Sequence, residues 1–436
     1  MVDLSVKFAG LDFKNPISIA AHGPGVPNRD LLPNKDASGV HMNLWRKYYE
    51  GGAGSITTGS IFFDEIPGAR GANRFCSVST KGFAEREGFI SAATMPDVIW
   101  PRSHGLRAVE RARKEFTDMR IMASIMGEGT SPDSWAQLAL EAQQAGAEAI
   151  ELNLGSVMMM ESADEALKGI MSKRRLPSGA IIGLVPEAVA ELIKGIKKKV
   201  SVPVIVKITP ELGFYGLLGA LPLYREAGVD GVVCDHTLMT MAPPDIYNRG
   251  KTTHPYFNKT TWWSSVGLWN RLVSYRDVAL VGKYAPDIDL EACGGLVLPE
   301  HSIEVMMLGA KLVQLSSGIL FNGPSFAGKV VDFLKKYMEE QGYNSVNEFR
   351  GLGLEYIAEM GEVQREFKAQ IGKLIAQTDY DKCTGPDACG ECLDMFCLAT
   401  YEEDGEIKVD PKLCCGCNLC VIRCPYGARS LSWIDT

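Results

Sequence analysis

Nine of the twelve cysteines in this 436-residue chain fall between Cys383 and Cys424, near its C-terminal end. The other three, Cys76, Cys234 and Cys293, are scattered. A disulfide scaffold spreads its cysteines through a small secreted chain, whereas a dense group at one end of a long chain predicts metal. The second half of the group reads Cys414-x2-Cys417-x2-Cys420-x3-Cys424-Pro425. That is the bacterial ferredoxin run, in which a short loop brings three thiolates to one iron cubane and the fourth cysteine serves the other cluster. The first half, Cys383-x5-Cys389-x2-Cys392-x4-Cys397, follows the same plan with a longer first gap and one extra residue before the last cysteine. Crossing the fourth ligands predicts two [4Fe–4S] clusters, one on Cys383, Cys389, Cys392 and Cys424, the other on Cys414, Cys417, Cys420 and Cys397. Two zinc knuckles are the competing arrangement, disfavoured by eight cysteines in this order without a histidine. The stretched first half leaves a [3Fe–4S] cluster open. Cys415 is left over; it stands where an apolar residue packs and is read as structural. Residues 399–411, with Glu402-Glu403-Asp404-Gly405-Glu406, read as the solvated turn of a connecting hairpin.

The length suits a large core plus an appendage. A formal net charge of -8 without a basic tract argues against nucleic acid or anionic membrane as a partner. No apolar run approaches the roughly 20 residues that span a bilayer. The start, Met1-Val2-Asp3-Leu4-Ser5-Val6-Lys7-Phe8, lacks the basic and apolar segments of a secretory signal, so a cytoplasmic location is expected.

Upstream, short apolar runs alternate with amphipathic helices. Strands are predicted at Ile17–Ala21, Ser55–Thr58, Ile121–Ile125, Ala149–Asn153, Val204–Lys207, Gly231–Asp235, Ile288–Ala292 and Leu312–Leu315. Trp135, Leu138, Ala139 and Ala142 have helical spacing, with Ser131-Pro132 to start the helix and Gly146 to stop it. Val189, Leu192, Ile193 and Ile196 repeat the pattern after Pro186. Alternation implies parallel pairing, and eight units predict a closed (β/α)8 barrel. An open doubly wound sheet is the runner-up, disfavoured because no strand leads into a G-x-G-x-x-G turn. The expected domains are a barrel over 1–340, a helical arm over 341–380, including a helical stretch at 354–376, and a ferredoxin-like module over 381–436.

Barrels place chemistry at the C-terminal ends of their strands. Those ends here are Asn153, Lys207, Asp235-His236-Thr237, Gly294-Gly295 and Ser316-Ser317-Gly318. The last two are the usual phosphate position, and two glycines would let the backbone come close to a phosphate. A lysine ending the buried run Val204-Ile205-Val206 requires an anionic partner or an exit to water. The N1–C2=O edge of a flavin, which gains negative charge on reduction, is such a partner.

The chain resembles the flavin barrel and C-terminal ferredoxin portion of dihydropyrimidine dehydrogenases, within the wider class 1 dihydroorotate dehydrogenase superfamily. The resemblance runs over nearly the whole chain, on Ala9-Gly10-Leu11-Asp12-Phe13-Lys14-Asn15-Pro16, Ala123-Ser124-Ile125-Met126, Glu151-Leu152-Asn153-Leu154, Val206-Lys207-Ile208-Thr209-Pro210, Ala227-Gly228-Val229-Asp230-Gly231-Val232 and Gly294-Gly295. It implies FMN in the barrel mouth, with Ala20 and Ala21 along the flavin, Thr58 and Asn153 in contact, Lys207 near N1, and Gly294, Gly295, Ser317 and Gly318 around the phosphate. It also implies a homodimer, and electron exchange through the clusters with a flavoprotein subunit or ferredoxin.

Departures from the family bear on the substrate. Family members carry Thr-Lys-Thr after strand two; here it is Thr58-Gly59-Ser60. The Ser-Cys-Pro after strand four is replaced by Gly155-Ser156-Val157, and the substrate-gripping Asn-Thr after strand six by His236-Thr237. The proton-donating cysteine of these enzymes aligns with Ile182, and no cysteine lies between Cys76 and Cys234. Candidate proton donors are therefore His236, whose imidazole titrates near neutrality, and Ser156 and Ser178 as relays. His22 and Lys173-Arg174-Arg175 are further candidates to face the flavin or a substrate carboxylate, and Met158–Met160 could line an apolar pocket. Three readings stay open: a reductase or dehydrogenase of a non-pyrimidine C=C bond, a pyrimidine reductase with a relocated acid, and a flavin/iron–sulfur relay subunit of a larger complex.

Overall fold

The computed structural model describes residues 2–21, 38–65, 75–79, 89–93, 100–155, 180–241, 244–252, 263–370 and 372–434. The chain forms two compact units, Met1–Leu354 and Glu355–Thr436.

The first unit is a closed barrel of eight parallel strands: Ile17–Ile19, Ser55–Phe62, Arg120–Met126, Ala149–Asn153, Val204–Lys207, Gly231–Cys234, Asp289–Cys293 and Leu312–Leu315. Each predicted strand is present, three of them (Ala149–Asn153, Val204–Lys207 and Leu312–Leu315) with the predicted ends and five with shifted ones. The second runs four residues beyond the predicted end, through a register shift between Thr58 and Ile61 against the third. The strand ring closes where Val313–Leu315 pairs with Ile17–Ile19. Helices wrap it as the spacing predicts. Pro132–Gln144 begins at Ser131, whose hydroxyl accepts from Ser134 N, and the chain leaves it at Gly146 with φ +107°. Trp135, Leu138, Ala139 and Ala142 are all buried, as are Val189, Leu192, Ile193 and Ile196 of Pro186–Lys197. This unit outlasts the predicted barrel boundary. Asp3 N donates to Asn344 O (2.7 Å), and Val346 and Phe349 lie in its core.

A feature absent from the sequence reading is a four-stranded antiparallel sheet in the order Leu238–Thr240, Trp263–Gly267, Phe89–Ala93, Phe75–Ser79. Its strands come from the segments after barrel strands two and six, so it belongs to the C-terminal side of the barrel.

In the second unit, the stretch expected to be helical over 354–376 is divided. A short 3-10 turn, Leu352–Tyr356, precedes the helix Met360–Gln370, and Leu374–Thr378 is a strand paired with Arg429–Trp433. Burial of Ile375 and Ala376 against the cysteine core explains the change, because a strand can share a sheet with the chain's last segment. The predicted hairpin is Thr400–Glu403 with Glu406–Val409. Among the described residues no helix is long and apolar enough to cross a membrane.

Candidate active site and candidate metal centre

The fifth strand ends in Lys207, whose side chain turns into the barrel. Its ammonium donates to Gln314 Oε1, lies 3.8 Å from Cys293 Sγ and 4.0 Å from Glu151 Oε2. Gln314 passes the contact on, donating to Glu151 Oε2 (3.0 Å) and Thr57 Oγ1 (3.4 Å). Burial pushes the Lys207 pKa down, but Cys293, Glu151 and Glu291 push it up and prevail, so the ammonium stays charged. Glu291, on strand seven, is wholly buried; burial and then Glu151 raise its carboxyl to about 8, against the pull of Ser18, Lys207 and Gln314. Burial and the nearby Glu151 favour the protonated carboxyl at Glu291.

Asn153, at the end of strand four, is buried and donates through Nδ2 to Ser60 Oγ (2.6 Å), which meets Ser124 Oγ at 3.0 Å. Its Oδ1 accepts from Gly155 N (3.3 Å). Thr58 is buried with Oγ1 unpartnered among the described residues. Ala20 is buried and Ala21 half-buried just beyond strand one.

His236 follows strand six. Its Nδ1 meets Thr237 Oγ1 at 2.9 Å, its N–H donates to Ile208 O (3.0 Å), and its carbonyl accepts from Asn270 Nδ2 (3.3 Å). Burial, and then the Lys207 charge, push its pKa down to about 3. The expectation of an imidazole titrating near neutrality is corrected: the ring is neutral at pH 7 and is no cationic acid. It rests directly on Gly155, where a Cβ would lie 2.1 Å from His236 Cβ.

Gly294, Gly295, Ser317 and Gly318 do come together, with Gly267, Asn270 and Arg271 beside them. Gly267 N donates to Ser317 Oγ (3.1 Å). The reason for the glycines differs from the expectation of room for a ligand. A Cβ on Gly295 would lie 2.6 Å from Arg271 N, and one on Gly318 2.5 Å from Leu296 O. Their missing side chains admit neighbouring backbone, and φ of +111° and +71° at Gly294 and Gly295 adds a second requirement. Asn270 Oδ1 and Arg271 Nε are buried here without partners among the described residues.

Of the other candidates, Ile182 is wholly buried in the short helix Ala180–Gly183. Ser156, Ser178, His22, Met158–Met160 and Lys173-Arg174-Arg175 lie outside the described residues. Sequence reasoning missed Glu151, Glu291, Gln314, Ser60 and Ser124. The available signal was a polar residue inside an apolar strand, as in Leu290-Glu291-Ala292 and Val313-Gln314-Leu315.

In the second unit, Cys383, Cys389, Cys392 and Cys424 line one pocket, together with Arg429 and Glu391. These are the four cysteines that the sequence reading assigns to the first cluster. Among the described residues no three His, Cys, Asp or Glu side chains converge on a single-ion site. Burial raises the Cys424 thiol, but N–H groups of Tyr426, Ala428, Arg429 and Gly427 outweigh it and bring the pKa down; Ala428 N lies 3.2 Å from the sulfur. Of the other set, Cys414 and Cys420 are buried and Cys417 is exposed, while Cys397 Sγ meets Thr400 Oγ1 at 3.5 Å. Cys415 is exposed beside Cys417, which corrects its assignment to packing: the turn at Gly416 (φ +64°) carries it outward.

A sequence model of dihydroorotate dehydrogenase matches residues 3–338, and one of the 4Fe-4S binding domain matches residues 407–430. The chain therefore belongs to the dihydroorotate dehydrogenase family: it is a flavin oxidoreductase of the dihydroorotate and dihydropyrimidine dehydrogenase type, with a 4Fe-4S binding domain. The second match holds Cys414, Cys417, Cys420 and Cys424 and none of the first half-group. The chain is similar to the NAD-dependent dihydropyrimidine dehydrogenase subunit PreA of Escherichia coli K12, 24% identical over 397 residues, covering 89% of this chain and 84% of that protein. It is 29% identical over 355 residues to the catalytic subunit of dihydroorotate dehydrogenase B (NAD(+)) of Pyrococcus abyssi, covering 80% and 99%. It is 23% identical over 394 residues to the chloroplastic dihydropyrimidine dehydrogenase (NADP(+)) of Arabidopsis thaliana, covering 86% and 82%.

Proposed function

We propose that the barrel mouth holds FMN, that a small cyclic or conjugated substrate gains or loses hydride there across a C=C bond, and that two [4Fe–4S] clusters exchange the electrons with a partner. The observation that carries this reading is Lys207, a buried ammonium at a strand end with one loosely held carboxylate. Bound FMN supplies hydride chemistry at N5 and one-electron exchange with iron–sulfur clusters. Lys207 sets a positive charge toward the flavin N1 edge. Gly294, Gly295, Ser317, Gly318 and Arg271 surround the phosphate, Ala20 and Ala21 lie along the ring, and Thr58 and Asn153 hydrogen-bond it. Unpartnered Thr58 Oγ1, Asn270 Oδ1 and Arg271 Nε fit such a group. Both cluster sets are kept as predicted from spacing, and the cysteine cavity fits the first.

His236, held neutral, orients the substrate by hydrogen bonding, and Ser156 or Ser178 relays the proton. The partner is a flavoprotein subunit or ferredoxin, and the barrel pairs as a homodimer. A pyrimidine substrate is the second reading, favoured by the names of the relatives and opposed by isoleucine at position 182.

Anaerobic addition of candidate substrates to the purified holoenzyme should bleach or restore the flavin spectrum. Lys207→Met should weaken FMN retention at least tenfold. Purified protein should oxidise NAD(P)H slowly until a partner is added. Absence of flavin, or fast NAD(P)H oxidation by the protein alone, would overturn the reading. A flavin that answers only to the electron partner would establish a relay subunit instead.

A further inference from the structure

Arg429 begins the last strand of the second unit and is 3% exposed. A guanidinium stays ionised at any working pH, so burying one calls for a nearby anion. Its neighbours supply none. NH1 donates to Thr378 Oγ1, NH2 reaches Thr400 Oγ1 at 3.5 Å, and Nε has no partner among the described residues. Both partners are neutral hydroxyls. Glu391 lines the same cavity, but it is held by Arg423 at 2.5 Å. Asp379 is likewise engaged, by Lys382 at 2.8 Å.

What the guanidinium does face is sulfur. It lines the cavity of Cys383, Cys389, Cys392 and Cys424. Four thiolates around an iron–sulfur cubane carry net negative charge, and each reduction adds one more. A buried cation at that distance stabilises the reduced form over the oxidised one.

We propose that Arg429 is the internal counter-charge of the cluster on Cys383, Cys389, Cys392 and Cys424, a positioning residue that raises this cluster's reduction potential. The proposal rests on the reading that these four cysteines hold a cluster.

The test is an anaerobic redox titration of the full-length holoenzyme by electron paramagnetic resonance, with iron counted per chain. Arg429→Gln and Arg429→Met should lower one cluster's potential by at least about 59 mV, a tenfold change in its oxidised-to-reduced ratio for one electron. Arg429→Lys, which keeps the charge, should lie close to the wild type. Loss of iron from the Gln and Met variants but not from Lys would equally support a counter-charge. Unchanged potentials in Gln and Met, or iron lost alike from all three, would overturn it. The parent reading fails separately, if Cys383→Ala leaves the iron content of the otherwise wild-type protein unaltered.

Discussion

Replacing Gly155 by alanine tests whether the end of strand four and the end of strand six are locked together at the mouth. The added Cβ would lie 2.1 Å from His236 Cβ, 2.3 Å from Cγ and 2.9 Å from Cδ2. The first contact is with His236's own Cβ, so no rotamer of the imidazole relieves it. Both backbones are also tied: Gly155 N to Asn153 Oδ1, His236 N to Ile208 O and His236 O to Asn270. Gly155 is not among the residues of positive φ, so alanine suffers no conformational penalty there. Overpacking of this kind costs about 1–3 kcal/mol. The loss of unfolded-state freedom on Gly→Ala returns about 0.4–1 kcal/mol, leaving a net destabilisation of about 1–2 kcal/mol. The assay is thermal unfolding of the holoenzyme followed by flavin fluorescence, with the variants Gly155→Ala, His236→Ala, His236→Gly and both double mutants. Gly155→Ala should melt several degrees lower. His236→Gly should rescue it, apart from glycine's own backbone cost of about 0.5–1 kcal/mol. His236→Ala should not, because its Cβ remains in the way. Equal rescue by both, or no effect of Gly155→Ala, would refute the contact.

Other outcomes follow from the buried titratable groups and from the cysteines. Glu291 has its folded pKa pushed up to about 8 from an ordinary 4.5, so it stabilises fully below about pH 4.5 and loses that contribution as pH rises through 8. The difference corresponds to at most about 5 kcal/mol, and Glu291→Gln should flatten the fall in melting temperature between pH 6 and 9; parallel curves would count against it. His41, packed against Trp100 with ring centroids 4.3 Å apart, is pushed down to about 3 by burial and then by His104. Its contribution is complete above about pH 6.5 and is lost as pH falls toward 3, so His41→Phe should shrink the acid-side loss of stability. Cys383→Ala should remove about half of the iron if two clusters are present, whereas Cys415→Ser, at an exposed position, should leave iron unchanged.

The eight strands were legible because each is a short apolar run between turn signals, and a buried parallel strand needs little else. Their ends were less so: the second strand continues through Gly59-Ser60, where local sequence signals a stop and pairing with strand three overrides it. The antiparallel sheet was not legible, because its central pairing joins Ile90–Ala93 to Ser264–Gly267, and no local pattern encodes so distant a register. The spacing alone brought Cys383, Cys389, Cys392 and Cys424 into one group, and the fold places those four around one pocket. The polar core around Lys207 did not. Lys207 stood out at the end of an apolar run, but Glu151, Glu291 and Gln314 came from three other strands, and only barrel closure brings them together.

Charge ties the two units to one kind of chemistry. Among the described residues, the buried lysines and arginines are two, Lys207 in the barrel and Arg429 in the cysteine unit. Stability alone favours neither, because a buried charge without a full partner is an expense that an apolar residue avoids. In the barrel, Lys207 lies 4.0 Å from Glu151, with Gln314 hydrogen-bonded to both. In the cysteine unit, carboxylates near Arg429 are claimed by Arg423 and Lys382. On the proposed reading, both arrangements keep a fixed positive charge next to a place where electrons would arrive, loosely paired at Lys207 and without a free carboxylate among the described residues at Arg429. A cation preorganised in this way needs no rearrangement when negative charge appears, which favours fast electron transfer in and out.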